Sequence, residues 1–428
     1  SLNNRSAYAL SFVLANIPVV QDAPDLLRAI LDAGYMLRDR IKDETVRKIY
    51  TIEVIKGLIY LGWQVNESVI NEAKSLMSLE DELLLSYQAD LAQALMEFYI
   101  RNGLWSDAKE LAQRLEKVWE SLENVNWGEV AGQLSKKGIE ADKDRLKEQT
   151  KELVSFLFTR YYHEVFDIEK EQKYVNAEYN AVIKIFGGEE GAKKNHPNNY
   201  FLALLKRDAI NTVLSEDLGK AIEEVAKDSE EAFDYSPQIG TDTLLMIIRE
   251  YLIASAYLGR LDEALKLVND DPDLRHPFLS MDSQFLLGLY SLFHYLTGGK
   301  FLDKIREYAK EVANKEDLSS VKLIVTGKPM CIKAISEVQR GLMEDLGLNE
   351  SEASYLIYIF LTTKPGIITL LSLGRIFFGL EVVKQLAMCL AERYPRALPC
   401  LLRRVSKAGN EEEFKDALVR LAMYLLLF

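Results

Sequence analysis

Apolar residues recur every three to four positions through almost the whole chain, and this spacing is the feature that most restricts its fold. Leu83, Tyr87, Leu91, Leu95 and Phe98 are one example. Side chains spaced in this way lie along one side of an α-helix, and that side needs a second helix to cover it. The spacing therefore predicts helices that pack in pairs.

A short break at Asn102 and Gly103 is followed by a second apolar stripe, which consists of Ala108, Leu111, Ala112, Leu115 and Trp119. Two stripes joined in this way predict an antiparallel helical hairpin over residues 83–120. With 10 prolines and 23 glycines in 428 residues, the chain has too few turn-forming residues for a many-stranded β protein. We expect an all-α fold, either in several domains or as one elongated stack, because single cores stop growing at about 250–300 residues.

A second hairpin repeats the pattern of the first. The segments NGLWSDAKELA (residues 102–112) and LGRLDEALKLV (residues 258–268) align on a glycine. In both, a large apolar residue follows two positions later, an alanine five positions later and a small or apolar residue nine positions later. The matching residues are Gly103, Trp105, Ala108 and Ala112, and then Gly259, Leu261, Ala264 and Val268. Two weaker copies contain Gly299, Phe301, Lys304 and Tyr308, and Asp217, Leu218, Ala221 and Val225.

This shared pattern resembles the tetratricopeptide repeat. In that family the glycine permits a tight turn, the alanine lets two helices approach closely, and the large residue fills the space between them. The resemblance implies a right-handed superhelix of stacked antiparallel helix hairpins, an α-solenoid, with a helical C-terminal cap or domain. We expect N-terminal hairpins at 1–123, an irregular helical segment at 124–198, repeat-like helix pairs at 199–316 and a C-terminal helical domain at 317–428.

A basic cluster lies near the C-terminus of an acidic chain. Residues 364–428 contain ten basic and six acidic residues, whereas the whole chain has a net charge of -13. The cluster consists of Arg393, Arg396, Arg403, Arg404 and Lys407. These residues either pair with the glutamates at 411–413 and with helix C-termini, or they contact an anionic partner. Nucleic acid is expected to bind only here, since the remaining chain repels phosphate.

Local motifs for catalysis, metal binding and cofactor binding are absent from the sequence. The histidines His163, His196, His276 and His294 stand in four separate segments, and we interpret them as surface or capping residues. The segment VTGKP (residues 325–329) lacks the leading glycine and the hydroxyl residue of a phosphate-binding loop. We expect no metal, no cofactor and no enzymatic activity. The alternative is an active site assembled from distant helical residues.

The cysteines and the apolar segments bear on the cellular compartment. Cys331, Cys389 and Cys400 form no CxxC motif, which predicts packed thiols, no disulfide, no zinc site and a cytoplasmic location. The apolar residues 355–378 are interrupted by KPG at 364–366, so we expect two buried helices and no membrane span. Residues 6–21 predict a core helix that ends at Pro18, in preference to a targeting segment.

These observations favour a scaffold or adaptor that binds another protein, a peptide or a second copy of itself on a helical-repeat surface. The alternative is a regulatory protein. In that case the solenoid senses a signal or dimerises, while a helix-turn-helix-like C-terminal region contacts nucleic acid.

Overall fold

A computed structural model describes residues 2–16, 24–61, 65–315, 327–394 and 397–427. Within these ranges the chain forms 23 α-helices and no β-strand, so the prediction of an all-α fold is confirmed. The chain divides into two compact units. Unit 1 comprises Ser1–Glu164 and Glu169–Asn195, and unit 2 comprises Val165–Ile168 and His196–Phe428. The division into four segments is finer than this and stays a prediction.

Unit 1 is built from two layers of helices. Its helices are α1 (Asn4–Asn16), α2 (Pro24–Met36), α3 (Glu44–Tyr60), α4 (Glu67–Leu76), α5 (Leu85–Arg101), α6 (Trp105–Ser121), α7 (Trp127–Lys136), α8 (Lys143–Glu164), α9 (Ile168–Ile185) and α10 (Glu189–Asn195). Helix α3 packs between α1 and α5, and α5 packs on α8. Helix α4 contacts both α3 and α5, and α6 contacts both α5 and α8. Helices α1, α3, α5 and α8 therefore form one row, which α4 and α6 cover.

Unit 2 contains the remaining helices. They are α11 (Pro197–Leu214), α12 (Leu218–Phe233), α13 (Thr241–Tyr257), α14 (Leu261–Asp270), α15 (Pro272–Leu279), α16 (Ser283–Leu296), α17 (Leu302–Ala313), α18 (Pro329–Leu346), α19 (Glu350–Thr362), α20 (Lys364–Phe378), α21 (Leu380–Ala391), α22 (Ala397–Ser406) and α23 (Glu411–Leu425). Helix α13 packs on α12, α14 and α16, and α16 packs on α17 and α20. Helices that follow one another in the sequence of unit 2 thus mostly pack against each other.

The last helix, α23, departs from this order and lies at the centre of unit 2. It packs against α11, α13, α20 and α22, and residues 417–425 are all buried. Buried Arg420 donates hydrogen bonds to the carbonyl oxygens of Thr212 (3.1 Å), Val213 (3.1 Å) and Ser215 (2.6 Å). Carbonyls at the C-terminal end of a helix need partners from outside that helix. Arg420 supplies them, and α23 thereby joins the first and last helices of unit 2.

The repeated hairpins share one turn geometry. Gly103, Gly259 and Gly298 have φ values of +67°, +75° and +70°, in the left-handed region that favours glycine. In each turn the next residue donates its N–H to the carbonyl five positions earlier, over 2.8 Å, 2.8 Å and 2.9 Å. This bond closes the C-terminal end of the first helix. In the third hairpin the equivalent residue is Gly298 and not the expected Gly299. The reason is that more residues separate this glycine from the start of the second helix, α17.

The longer third turn also shifts the register of its second helix. Counted from the first residue of α6, α14 and α17, the buried fourth residues are Ala108, Ala264 and Ile305. Lys304, the residue expected in this position, is exposed and pairs with Glu307 at 3.0 Å. Lysine therefore does not break the repeat. Its structural place is taken by the neighbouring isoleucine.

The large residue after the turn is not equivalent in the first two hairpins. Leu261 is 3% exposed, as the resemblance implies, whereas Trp105 is 46% exposed and does not fill a gap between helices. In the third hairpin Phe301 is half-buried and its ring lies 5.5 Å from that of Tyr290. The glycine turn and a buried apolar residue at the fourth position of the second helix are thus the common features.

Replacing Ala108 or Ala264 with leucine is expected to destabilise the corresponding hairpin by about 1–3 kcal/mol, because three extra carbon atoms must fit a closed helix contact. Thermal unfolding followed by circular dichroism measures this loss. Glu263→Leu, at an exposed position of α14, is the matched control and should leave the melting temperature within the ordinary range of surface changes. Unchanged melting in both alanine variants would show that these positions are not close helix contacts.

The apolar residues 355–378 form two helices, as expected. Helix α19 begins with a capping box, in which Asn349 accepts from the N–H of Glu352 and Glu352 accepts from the N–H of Asn349, both at 2.9 Å. Thr363 then caps α20 through the N–H of Gly366. Among the described residues, no single helix is long and apolar enough to cross a membrane. The bent pair α19 and α20, at 115°, meets that test by length and composition.

The helix expected over residues 6–21 is present as α1, which ends at Asn16. Pro18, the expected terminator, lies outside the described residues.

Candidate functional site

The structure brings together three of the five residues of the predicted basic cluster. Arg403, Arg404 and Lys407 lie at the C-terminal end of α22 and just beyond it, and they line one cavity of about 610 Å³. Arg393 is exposed on the turn after α21 and is not part of this cavity. Arg396 lies outside the described residues. We call the cavity lined by Cys400, Arg403, Arg404, Lys407, Ala408, Glu413 and Asp416 the basic cavity.

The first of the two alternatives holds only in part. The cations of the basic cavity do not pair with the glutamates at 411–413, but Arg403 and Arg404 lie in the last turn of α22, where positive charge interacts favourably with a helix C-terminus. Glu411 instead accepts a hydrogen bond of 2.6 Å from Arg375 of α20 and one of 3.0 Å from Tyr295. Glu413 accepts from the backbone N–H of Gly409 at 2.6 Å. Within the part of the chain that the structure describes, Arg403, Arg404 and Lys407 form no ion pair.

Arg420 adds a further positive charge near the basic cavity. Burial lowers the pKa of Arg420, and the nearby charge of Arg404 lowers it further. Three backbone carbonyls hold Arg420 in place, although it does not itself line the cavity. The three exposed cations of the cavity therefore have a fourth cation near Arg404, and this arrangement favours an anion.

A second candidate surface lies in unit 1, where α3 and α5 run side by side. It consists of Glu53, Lys56, Tyr60, Asp90, Glu97 and Arg101, which we call the α3–α5 face. Lys56 joins the two helices by pairing with Asp90, and it also contacts Glu53 at 2.9 Å. Glu97 continues the row and accepts from Arg160 of α8 at 2.8 Å.

The α3–α5 face combines an aromatic ring with a network of charges. Tyr60 is 42% exposed, and burial together with the carboxylates of Asp90, Glu97 and Glu53 raises the pKa of its hydroxyl. Burial alone would lower the pKa of Lys56, but Asp90 and Glu53 outweigh it and raise that pKa. The carboxylates of two helices therefore act together on Tyr60 and Lys56.

Sequence reasoning missed the α3–α5 face, although a signal for it exists. Glu53, Lys56 and Tyr60 are spaced three and four positions apart in α3, and Asp90, Glu97 and Arg101 recur at similar intervals in α5. Such spacing places polar residues on one side of a helix whose other sides are apolar. Only the packing of α3 beside α5 shows that the two polar sides adjoin.

Two histidines contradict their interpretation as surface or capping residues. His163 is fully buried, and its Nδ1 lies 2.9 Å from a carboxylate oxygen of Glu171, which is also fully buried. His294 is 7% exposed, and its Nδ1 accepts the backbone N–H of Phe301 at 2.9 Å. Both residues therefore fix the packing of adjacent chain segments.

The cysteines also differ from expectation. Cys331 of α18 and Cys389 of α21 form a disulfide, with a Cα–Cα distance of 5.9 Å. The prediction of packed thiols without a disulfide is wrong for this pair. It is also wrong for Cys400, which is a free thiol but is exposed. A separation of 58 residues leaves no local sequence signal for the pairing.

Neither candidate surface carries a recognisable catalytic arrangement. Among the described residues, no group of three or more histidine, cysteine, aspartate or glutamate side chains is placed to hold a metal ion. Of the VTGKP segment, residues 325 and 326 lie outside the described ranges, and Lys328 pairs with Glu392 at 2.5 Å. Both surfaces present charged groups, and the basic cavity also carries the exposed thiol of Cys400.

Comparison of the chain with protein-family models, curated protein sequences and solved structures gives no match.

Proposed function

We propose that this protein is a non-catalytic scaffold or adaptor that binds a peptide or helix of another protein on the α3–α5 face. In this proposal the two-layered packing of unit 1 is one part of a tetratricopeptide-like superhelix. The row α1, α3, α5 and α8 is its inner layer, and the inner layer of such a superhelix provides the binding surface.

One observation carries the proposal: a partly exposed tyrosine lies beside charged residues of both signs where α3 packs on α5. Tyr60 offers an amphipathic ring that is partly open to solvent, and such residues contribute strongly to protein interfaces. Burial raises the pKa of Glu53 despite its contact with Lys56. A basic side chain of a partner would relieve this cost, so the face suits a partner segment that carries lysine or arginine.

Affinity capture of tagged protein from native lysate, with nuclease added, tests this proposal. The variant Tyr60→Ala with Glu53→Gln removes the exposed ring and the carboxylate charge that a basic partner would neutralise. We expect it to retain at least about tenfold less of a nuclease-resistant protein partner than the wild type, a loss of about 1.4 kcal/mol.

The matched control is Tyr358→Ala with Glu263→Gln in unit 2. Tyr358 is 55% exposed and Glu263 is also exposed, so the same chemical changes are made outside the α3–α5 face. This control is expected to retain the partner fully. Equal retention by both double variants, or loss of all bound protein on nuclease treatment, would refute the proposal.

A further inference from the structure

The lining of the basic cavity of unit 2 contains three cationic and two carboxylate side chains, an excess of one positive charge. Of its two carboxylates, Glu413 is engaged by the N–H of Gly409, and Asp416 accepts from the hydroxyl of Tyr257 at 2.9 Å. Both are thus directed toward other groups. Arg403, Arg404 and Lys407 have no such partner among the described residues.

Some basic residues near helix ends in unit 2 are paired with carboxylates. Arg260 lies 2.9 Å from Glu223, Lys328 lies 2.5 Å from Glu392, and Arg375 contacts Glu411. Arg403, Arg404 and Lys407 differ from these residues because all three line one cavity without forming an ion pair among the described residues. Three unpaired cations on one cavity concentrate positive charge there.

We propose that the basic cavity binds a small phosphorylated molecule, whose phosphate groups are held by Arg403, Arg404 and Lys407. Guanidinium groups bind phosphate oxygens through two parallel hydrogen bonds, and lysine adds a mobile point charge. The volume of about 610 Å³ lies within the range of small-molecule sites, which is about 300–1,000 Å³. A lone phosphate would leave most of this space empty, so the ligand carries further atoms that extend toward Ala408 and Cys400.

The position of the carboxylates distinguishes this ligand from a nucleic-acid strand. Glu413 and Asp416 border the cations on α23, so negative charge is accepted at the α22 side and repelled at the α23 side. A strand that carries phosphate along its whole length would meet both carboxylates. A small molecule with one charged end meets only the cations.

Titration calorimetry with inorganic pyrophosphate, at neutral pH and low salt, tests the assignment on the intact protein. We expect saturable binding that weakens as salt is added, because the cations are exposed. The variant Arg404→Gln with Lys407→Gln should bind at least about tenfold more weakly, since a hydrogen bond to a charged group contributes about 1.5–3 kcal/mol.

Two further variants separate this site from a general charge effect. Lys266→Gln with Arg275→Gln removes the same two charges from exposed positions of α14 and α15, and its affinity should equal that of the wild type. Glu413→Gln removes a negative charge from the cavity but keeps an acceptor for Gly409, so it should bind pyrophosphate more tightly.

Three outcomes would overturn the assignment. The first is no binding of pyrophosphate to the folded wild type at millimolar concentration, and the second is equal affinity in the Arg404/Lys407 variant. The third is tight binding of a single-stranded oligonucleotide that displaces pyrophosphate and is lost in the Arg404/Lys407 variant, which would show that the cluster binds nucleic acid. None of these outcomes bears on the α3–α5 face of unit 1, so this proposal and the scaffold proposal fail separately.

Discussion

Replacing Asp208 with asparagine is expected to stabilise the protein at pH 8 and to remove most of the stability loss that the wild type shows between about pH 4 and pH 8. Asp208 lies on α11 and is 12% exposed. Burial, together with a hydrogen bond to the carboxyl of Asp228 on α12, raises its pKa to about 8. The attraction of Arg207, 3.3 Å away, opposes this shift but does not cancel it.

The direction of the pH dependence follows from the raised pKa. Between the unfolded pKa of 3.8 and the folded pKa of about 8, the folded state binds more protons than the unfolded state. The stability that Asp208 contributes is therefore fully present below its pKa in the unfolded state. It is lost as the pH rises through its pKa in the folded state. A shift of about four units corresponds to at most about 5 kcal/mol. We expect Asp208→Asn to recover about 2–5 kcal/mol of this loss.

A second buried acid acts in the same direction. Glu250 of α13 is 1% exposed, and within the described residues neither of its carboxylate oxygens has a hydrogen-bond partner. Burial and the charge of Asp208 raise its pKa, against the attraction of Arg249. Burial also lowers the pKa of Arg249 to about 10, so that residue is still charged at neutral pH. Helices α11, α12 and α13 thus carry a cluster of acids that favours protonation.

Urea unfolding at several pH values, followed by far-UV circular dichroism, measures this effect. Tryptophan fluorescence is not suitable here, because it reports on unit 1 whereas Asp208 lies in unit 2. Unit 1 contains all four tryptophans of the chain, Trp63, Trp105, Trp119 and Trp127. Asp270→Asn, at an exposed position of α14, is the control and should keep the wild-type pH dependence. Stability of the wild type that is constant or rises from pH 4 to pH 8 would contradict the assignment.

Reduction of the Cys331–Cys389 disulfide is expected to lower the free energy of unfolding by about 2–4 kcal/mol. The bond joins α18 to α21 and closes a loop of 58 residues. Opening such a loop restores conformational freedom to the unfolded chain, which corresponds to about 4 kcal/mol in the chain-entropy model. Strain in the native state and residual structure in the unfolded chain reduce that figure.

Unfolding with and without a thiol reductant, again followed by circular dichroism, measures the contribution of the disulfide. Cys389→Ser should unfold as the reduced wild type does and should not respond to reductant. Cys400→Ser changes the exposed free thiol and should respond to reductant as the wild type does. If the reductant does not change the midpoint of the wild-type unfolding transition, the disulfide does not hold α18 and α21 together.

Much of the local structure was predictable because its causes lie within a few residues. Helical periodicity alone predicted the all-α fold, and Gly103 and Gly259 marked two hairpin turns that the structure contains. Asn349 and Glu352 have the spacing of a capping box in the sequence, and the structure contains that capping box. Each of these features depends on hydrogen bonds or steric limits between residues at most five positions apart.

The candidate sites were only partly predictable. The spacing of Arg403, Arg404 and Lys407 on one helix end is a local property, and sequence reasoning found it. That these cations stay unpaired depends on Arg375, which binds Glu411 from a different helix. The α3–α5 face was missed for the same reason, since Lys56 meets Asp90 only once the two helices pack together.

The sequence by itself therefore determined the helices, their ends and the hairpins that join neighbours. The tertiary structure alone decided which distant helices adjoin: Arg420 at the end of α11, Cys331 bonded to Cys389, and Asp208 beside Asp228. Helix propensity and turn geometry are set by short-range contacts, so a pattern of residues reveals them. Long-range pairing is set by the fit of whole surfaces, and many arrangements of amphipathic helices satisfy the same apolar periodicity until the side chains are packed.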